Sequence, residues 1–244
     1  MNDGIYTARA ALFKELHLPT SRSHLTMLRG RQIAKIGFWE CGLRSVYAFK
    51  RVLDVVLSAM AMALFFPLFF GVGLAIVLED GFPVFFTQDR VGLNGRVFRF
   101  YKFRSMFRNA EKLKDALIKQ NESADGVIFK MKNDPRVTRV GRFIRRYSID
   151  EMPQFLNVLQ GDLSVVGPRP PVPREVAQYS LADRKRLHVK PGLTCLWQIQ
   201  GRSEIPFKDQ VRLDLQYIHS QSVLKDLMIM VKTVPAVLFG RGAF

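Results

Sequence analysis

The sequence predicts a mostly helical α+β fold, and three observations support this class. A continuous apolar run occupies residues 52–78, and a strand-turn-strand pattern centred on Asn94-Gly95 follows it. Amphipathic helical spacing then dominates the second half of the chain, with a proline-rich interruption at 167–173. A chain of 244 residues with 48% hydrophobic content is long enough to bury a core between such elements.

The apolar run reads VLDVVLSAMAMALFFPLFFGVGLAIVL, and Asp54 is its only charged residue. As one straight helix it would be ~40 Å long, which exceeds the ~30 Å hydrocarbon thickness of a bilayer. Pro67 removes a backbone donor and kinks a helix, and the part before it is only ~22 Å long. The run therefore predicts either a kinked transmembrane helix or a re-entrant helix hairpin that turns back at Pro67.

Basic residues flank the apolar run on both sides. An excess of Lys and Arg marks the cytoplasmic side of a membrane segment, so both ends favour the same side. A re-entrant hairpin satisfies both flanks, while a kinked spanning helix with a weak charge bias remains the alternative. The flanking residues are Arg44, Lys50 and Arg51 before the run and Arg90, Arg96, Arg99, Lys102 and Arg104 after it.

The remaining elements follow from local pattern. Asn94-Gly95 tolerates positive φ at both positions and predicts a β-hairpin over 84–103. The sequence GPRPPVP predicts a stiff extended loop, because proline fits neither a helix interior nor a central strand. Helical spacing predicts further helices at 106–120, on both sides of Ser148, and in SLADRKRLHVKPG and FKDQVRLDLQYIHS. A last helix is predicted in the tail VLKDLMIMVKTVPAVLF, where the charged residues that interrupt the apolar sequence suit a helix lying in the membrane interface.

The composition of the chain indicates which classes of molecule it binds. The chain carries 37 Lys and Arg against 21 Asp and Glu, a formal net charge of +16, which indicates a polyanionic partner. RVFRFYKFR imitates a nucleic-acid surface, but beside a membrane run it better suits lipid phosphates, so we expect anionic lipids and no nucleic acid. The two cysteines and four histidines lack metal or disulfide spacing, and from the sequence pattern we expect neither a removable signal peptide nor a P-loop.

The segment RFIRRYSIDEMPQ carries the strongest local signal for chemistry. Ser148 and Glu151 have capping-box spacing and Pro153 fits a first helical turn, so Asp150 and Glu151 should lie at a helix N-terminus. The helix dipole and the nearby residues Arg142, Arg145 and Arg146 would keep these carboxylates ionised. Such a carboxylate can attack phosphorus as a nucleophile. The simpler alternative is that both acids only cap the helix.

Three arginines in constrained contexts predict phosphate binding. Arg145 adjoins the acidic pair, Arg169 stands between prolines in GPRP, and Arg202 lies in QIQGRSE. A guanidinium fork binds phosphate at two points, and flanking Pro or Gly fixes the backbone or admits the ligand closely. Each alone is more typical of a surface arginine. Together they suggest a pyrophosphate site.

The order of motifs resembles the bacterial sugar transferase family, the monotopic polyprenyl-phosphate phosphoglycosyl transferases. The resemblance covers residues 50–240 and leaves residues 1–49 outside. The matching stretches are KRVLDVVLS with the proline-centred apolar run, PVFFTQDRVGLNGRVFRFYKFRSM, DPRVTRVGRFIRRYSIDEMPQFLNVLQGDLSVVGPRP, VKPGLTCLWQIQGRS and VRLDLQYI.

The resemblance implies transfer of a sugar-1-phosphate from a UDP-sugar, with hexose expected, to undecaprenyl phosphate, with release of UMP, to initiate exopolysaccharide or related glycan synthesis. It implies that Asp150 is the nucleophile that forms a covalent phosphosugar intermediate, and that Glu151 is its partner carboxylate. Arg145, Arg169 and Arg202 match arginine positions expected to hold phosphates. Mg²⁺ is the implied cofactor, with Asp150 as a ligand, because a hard dication neutralises approaching anions.

The resemblance also implies a re-entrant hairpin with its membrane break at Pro67. The protein would then be monotopic in the bacterial inner membrane, with the catalytic part facing the cytoplasm. We expect a transferase domain over 50–244 and an N-terminal extension of surface-lying helices over 1–49, whose apolar residues leave a homodimer open. Two residues depart from the family pattern: Phe66 stands where serine is frequent, and Cys195 where glycine is common.

Two other functions compete with this one. A CDP-alcohol phosphotransferase needs several spaced aspartates on spanning helices, and the sequence lacks them. A non-catalytic basic scaffold for glycan assembly on the membrane surface would explain the charge without any chemistry. The fixed order of motifs weighs against the scaffold.

Overall fold

The computed structural model describes residues 45–110, 112–113, 131, 134–201 and 205–238. The chain divides into two compact units, residues 1–53 and 54–244. The first described helix begins in the first unit, and the other described helices and strands belong to the second. The predicted helices in residues 1–44, most of the predicted helix 106–120 and Arg202 lie outside the described residues.

The described part is mostly helical with two small sheets, which confirms the predicted α+β class. The helices are α1 (Ser45–Leu64), α2 (Phe66–Asp80), α3 (Arg139–Arg146), α4 (Phe155–Gln160), α5 (Pro173–Ala177), α6 (Leu196–Gln200), α7 (Phe207–His219) and α8 (Val223–Leu238). The strands are β1 (Phe85–Val91), β2 (Val97–Phe103), β3 (Ser164–Val166) and β4 (Gly192–Thr194). Short 3₁₀ helices occupy Leu93–Gly95, Ile149–Gln154 and Asp183–His188.

The apolar run forms two helices that meet at an angle. Helices α1 and α2 are bent by 59° at Phe65. In the described ranges, no single helix has the length and hydropathy to cross a membrane, whereas this bent pair meets both criteria together. Pro67 lies in the first turn of α2, where a missing N–H removes no helical hydrogen bond. The break lies at Phe65, two residues before Pro67.

The β1–β2 hairpin is antiparallel, with Val91 opposite Val97 and Phe85 opposite Phe103. Asn94 and Gly95 have φ values of 54° and 84°, as the Asn-Gly signal predicts, and Arg96 N donates to Leu93 O over 3.2 Å. On the inner face of β2, Phe98 and Phe100 are buried and join the larger core cluster with Leu163, Tyr217 and Ile229.

The second sheet, a short parallel pair of β3 and β4, is absent from the predictions made on the sequence. Gly167 and Gly192 let the two chains meet closely, because a Cβ on Gly192 would lie 2.0 Å from Gly167 N. The buried carboxylate of Asp54 on α1 accepts a hydrogen bond from Val165 N over 3.0 Å. The one charge of the apolar run therefore ties α1 to the sheet.

Helix α3 is anchored at its N-terminus. Thr138 accepts a hydrogen bond from Gly141 N, and Glu79 at the end of α2 accepts from Arg139 N and Val140 N. A Cβ on Gly141 would lie 1.9 Å from Ser105 O, so only glycine permits this approach. These contacts fix the helix that carries Arg145.

One of the predicted α-helices is not formed. SLADRKRLHVKPG forms only a 3₁₀ helix at Asp183–His188 instead of an amphipathic α-helix. The buried Arg186 in this stretch bonds to residues from other elements, and Pro191 lacks an N–H for a longer helix. Tertiary contacts have therefore overridden the local helical pattern. The helices predicted in FKDQVRLDLQYIHS and VLKDLMIMVKTVPAVLF are confirmed as α7 and α8.

Candidate active site

A cavity of about 690 Å³ opens between the hairpin, the 3₁₀ helix Ile149–Gln154, the proline-rich loop and α8. Among the described residues that line it, six are basic and three are acidic: Arg90, Lys102, Arg145, Arg169, Arg174 and Arg186 against Asp150, Glu151 and Glu175. Its apolar lining includes Phe65 at the helix break and Val234 and Val237 of α8. The cavity thus combines positive charge with an apolar wall.

The acidic pair lies in the first turn of the 3₁₀ helix Ile149–Gln154, as predicted. The predicted capping box is wrong, because Ser148 adopts a left-handed φ of 54° and its side chain makes no cap hydrogen bond. The left-handed residue turns the chain sharply between α3 and the 3₁₀ helix. This turn directs Asp150 and Glu151 toward the cavity, and Pro153 sits inside the 3₁₀ helix rather than at an α-helical start.

The side chain of Asn157 ties α4, the helix that directly follows the 3₁₀ helix of the acidic pair, to strand β2. Its amide oxygen accepts from Tyr101 N over 3.1 Å and its amide nitrogen donates to Arg99 O over 2.7 Å. The Asn157 side chain is fully buried. Because the next inward residue of β2 is Lys102, this clamp brings the lysine beside the acidic pair.

Lys102 and Arg169 bind Glu151 rather than Asp150. Lys102 Nζ lies 2.6 Å from Glu151 Oε1 and 3.9 Å from Asp150 Oδ2, and Arg169 Nη1 lies 3.5 Å from Glu151 Oε1. No residue in the described ranges forms a hydrogen bond to the Asp150 carboxylate. The pair is therefore asymmetric: Glu151 is held by two cations, whereas among the described residues the Asp150 carboxylate has only its longer ion pair with Lys102.

The pKa values of the two carboxyl groups are shifted in opposite directions. Burial raises the pKa of Asp150 to about 6; the Lys102 cation opposes this rise and the Glu151 charge adds to it. Burial also acts to raise the pKa of Glu151, but Lys102 and Arg169 outweigh it and lower that pKa to about 2. A pKa of about 6 still leaves Asp150 ionised at neutral pH, as expected, although burial raises that pKa above its ordinary value despite the nearby cations.

Arg169 is carried by a well-supported loop. Buried Arg186 forms an ion pair with buried Asp214, donates to Tyr179 Oη over 2.9 Å and contacts Arg169 O at 3.4 Å. Arg90 donates to Pro170 O over 2.9 Å from the other side. The proline-rich loop is thus extended, as predicted, and fixed by guanidinium groups that bond to its carbonyl oxygens.

The structure brings four of the five predicted polar site residues to one cavity: Asp150, Glu151, Arg145 and Arg169. Arg202 lies outside the described residues. Of the three arginines near the acidic pair, only Arg145 lines the cavity, whereas Arg142 and Arg146 are exposed. The predicted break residue Pro67 is not a lining residue, but its neighbour Phe65 is.

Lys102, Arg90 and Asn157 were not predicted as site residues. A signal for Lys102 existed, because positions 98, 100 and 102 share one face of β2, and a lysine in line with two buried phenylalanines needs a partner. Lys102 Nζ also lies 5.6 Å from the centroid of the Phe100 ring. Asn157 gave no local signal, since its partners are more than 50 residues away.

The donor set at this site suits a hard cation in part. No group of three His, Cys, Asp or Glu side chains that could hold a metal ion occurs in the described ranges. Asp150 and Glu151 supply carboxylate oxygens, and Mg²⁺ is commonly bound by one or two carboxylates together with substrate phosphates and water. These two residues therefore fit a Mg²⁺ ion that arrives with a phosphate ligand.

Comparison with known proteins supports one family. Residues 45–240 match the family model described as bacterial sugar transferase. The galactosyl transferase CpsE of Streptococcus agalactiae is 51% identical over 168 residues, which are 68% of this chain and 37% of CpsE. The exopolysaccharide production protein ExoY of Rhizobium meliloti is 40% identical over 198 residues, 80% of this chain and 88% of ExoY.

A third relative carries a more explicit name. The UDP-glucose:undecaprenyl-phosphate glucose-1-phosphate transferase of Caulobacter vibrioides is 39% identical over 203 residues, 80% of this chain and 72% of that protein. The chain thus spans most of two of these relatives and about a third of CpsE. The matched region contains every described element from α1 to α8, including the cavity. The chain belongs to the bacterial sugar transferase family.

Proposed function

We propose that this chain transfers a sugar-1-phosphate from a UDP-sugar to undecaprenyl phosphate and releases UMP, as the first step of exopolysaccharide or related glycan synthesis. Family membership and the name of the Caulobacter relative support this class of reaction. The excess of basic side chains in the cavity suits a ligand that brings several phosphate charges.

The observation that carries the mechanism is the asymmetry of the acidic pair. Asp150 is the carboxylate without a hydrogen bond from any residue in the described part of the chain, with its nearest cation at 3.9 Å, so its lone pairs are available for attack. Glu151 is tied to Lys102 and Arg169 and cannot leave them without loss of two ion pairs. We assign Asp150 as the nucleophile and Glu151 as the group that positions Lys102 and Arg169.

The proposed reaction has two displacements at one phosphorus. A carboxylate oxygen of Asp150 attacks the β-phosphorus of the UDP-sugar, and the phosphoanhydride bond breaks, with its electron pair leaving on UMP. The lipid phosphate oxygen then attacks the same phosphorus, and the acyl-phosphate bond breaks to restore the Asp150 carboxylate. No net proton is taken up, and Lys102, Arg145 and Arg169 offset the charge of the approaching phosphates.

Mg²⁺ belongs to this proposal as a cofactor that would be held by Asp150, with Glu151 nearby. When bound, it would neutralise charge on the diphosphate. Lys102 and Arg169 already hold Glu151, so Asp150 is the carboxylate with free coordination capacity.

We further propose a re-entrant membrane position at the cytoplasmic face of the bacterial inner membrane. Large apolar side chains around the helix break are mostly exposed: Leu64 is 73% exposed, Phe66 68% and Phe70 71%. Such a surface is unfavourable in water and favourable in lipid. Phe65 at the break also lines the cavity, which would give a lipid phosphate a short route to Asp150.

The reaction is tested with purified protein in detergent, a labelled UDP-hexose, Mg²⁺ and undecaprenyl phosphate. We expect UMP release and a labelled lipid product, both abolished by Asp150→Asn. Asp89→Asn is the matched control, because Asp89 is an exposed strand residue outside the cavity. Lipid product formed at the normal rate by Asp150→Asn would refute the nucleophile, and a wild-type protein inactive with every UDP-sugar would favour the scaffold function.

The membrane position needs its own experiment. Single cysteines replacing Val52 before the bend and Phe82 after α2 are labelled with an impermeant maleimide in inverted and right-side-out vesicles, after Cys41 and Cys195 are changed to alanine. We expect both positions to react only from the cytoplasmic side. Labelling of the two positions from opposite sides would contradict the re-entrant proposal.

A further inference from the structure

We propose that Thr194, Gln198 and Trp197 form a subsite that binds the sugar ring of the donor, with Thr194 accepting a hydrogen bond from one sugar hydroxyl. The inference rests on the proposed function and adds a specificity determinant to it. All three side chains line the same cavity as Asp150 and Arg169, on the wall formed by β4, α6 and α8.

The position of this wall follows from Arg169. The guanidinium carbon of Arg169 lies 5.9 Å from the centroid of the Trp197 ring, and its Nη1 lies 3.5 Å from Glu151. Trp197 therefore lies close enough to a phosphate bound by Arg169 for its ring to contact the sugar attached to that phosphate. Aromatic rings combined with a few polar groups are the usual lining of a small-molecule site.

The polarity of Thr194 is set by a chain of two hydroxyl groups. Thr233 Oγ1 on α8 lies 2.8 Å from Ile229 O, a contact in which only the hydroxyl can donate. Thr194 Oγ1 lies 2.7 Å from Thr233 Oγ1. Because Thr233 donates its single hydroxyl proton to Ile229 O, Thr194 must donate to Thr233. The lone pairs of Thr194 Oγ1 can then accept a hydrogen bond from a ligand.

Gln198 supplies the opposite polarity. Its Oε1 accepts from Cys195 Sγ over 3.2 Å, across the first turn of α6. Within the described part of the chain, its amide nitrogen donates to no side chain or carbonyl. The cavity thus offers an acceptor at Thr194 and donors at Gln198, which are the two polarities that sugar hydroxyl groups can satisfy.

The neutral side chains of this subsite differ in character from the basic residues of the cavity. Lys102, Arg145 and Arg169 can recognise the phosphates, which every UDP-sugar shares. Neutral hydroxyl and amide groups with fixed polarity can instead distinguish one sugar from another, because a missing partner leaves a polar group unpaired. Thr194 is buried and its proton is directed to Thr233, so its acceptor lone pairs are the part that a sugar hydroxyl can pair with.

The test combines variants of the chain with altered donors. The full chain in detergent is assayed for UMP release with UDP-glucose and UDP-galactose, and then with monodeoxy analogues of the preferred donor. Thr194→Val removes the hydroxyl at constant shape, Thr194→Ser retains it, and Thr87→Val is the control on an exposed strand position. CD melting checks that the variants remain folded.

We expect Thr194→Val to lower kcat/KM for the preferred donor about tenfold, as for one lost hydrogen bond, and Thr194→Ser to restore most of it. For one monodeoxy donor the same substitution should have no further effect, because its partner hydroxyl is already absent. An equal loss with every analogue, or no loss at all, would overturn the subsite but leave the proposed reaction intact. A wild-type protein that releases no UMP from any donor would overturn both.

Discussion

Lys102 Nζ donates a hydrogen bond to Glu151 Oε1 over 2.6 Å. This contact joins strand β2 to the 3₁₀ helix Ile149–Gln154 across 49 residues of sequence. It commits Glu151 to a cation, while the neighbouring Asp150 carboxylate accepts no hydrogen bond from the described residues. The division of roles in the proposed reaction follows from this one ion pair.

Activity should fall at acidic pH. Attack on phosphorus requires the Asp150 carboxylate, whose pKa is about 6 because of burial, whereas Glu151 with a pKa of about 2 stays ionised. We expect kcat/KM for UMP release to fall tenfold per pH unit below an apparent pKa near 6. Measurement of initial rates from pH 4.5 to 8.5 checks this, and a flat profile down to pH 5 would contradict it.

Asp150→Asn should make the protein inactive and more stable. The folded pKa of about 6 exceeds the ordinary value of 3.8, so the stability contributed by protonated Asp150 is full below pH 4 and is lost as pH rises through 6. At pH 7.5 the buried charge therefore costs folding free energy, and asparagine removes it. We expect the melting temperature at pH 7.5 to rise by a few degrees, with a smaller difference at pH 4.5. A fall at pH 7.5 would indicate a structural carboxylate.

Lys102→Met should lower turnover strongly with little change in fold. Without the ammonium group, Glu151 keeps only Arg169, and the pKa values of both carboxyl groups rise. We expect kcat to fall about 100-fold or more, in the range seen for loss of one group that stabilises charge at a reacting centre. The acidic limb of the pH profile should also move to higher pH.

The control for this substitution is Lys208→Met, since Lys208 is exposed on α7 and does not line the cavity. Its kcat should match that of the wild type. If Lys102→Met retained activity within about twofold, the Lys102–Glu151 ion pair would have no part in the chemistry.

Asn157→Leu should damage both stability and activity. The change leaves Tyr101 N and Arg99 O without their side-chain partner, and because both groups are part-buried we expect a total cost of about 1–3 kcal/mol. The loosened β2 should also move Lys102 from Glu151 and lower kcat. Thermal unfolding and UMP release measure the two effects. Gln160→Leu, at an exposed position of the same helix, should change neither, and wild-type stability in Asn157→Leu would refute the clamp.

Features set by a few adjacent residues were predictable from the sequence. The Asn94-Gly95 turn needs only two residues that tolerate positive φ, so the hairpin could be predicted from these two residues. The acidic pair at a helix start and the extended proline-rich loop also follow from local chemistry. In each case the relevant interaction lies within about six residues, so the sequence pattern contains it.

Features set by distant partners were not predictable. Arg142, Arg145 and Arg146 look alike in sequence, and only the packing of Gly141 and Ile144 decides that Arg145 faces the cavity. The raised pKa of Asp150 reflects burial, which a sequence does not display. The capping-box prediction failed because Ser148 supplies a left-handed turn instead of a cap.

Mass spectrometry of the trapped intermediate tests the central claim most directly. The wild-type chain is incubated with a UDP-sugar and Mg²⁺ but without lipid acceptor, quenched and digested. We predict one equivalent of UMP per protein and a sugar-phosphate adduct on the peptide that contains Asp150, absent in Asp150→Asn and discharged by undecaprenyl phosphate. UMP release that occurs only with the lipid acceptor present, without any adduct, would contradict a covalent intermediate on Asp150.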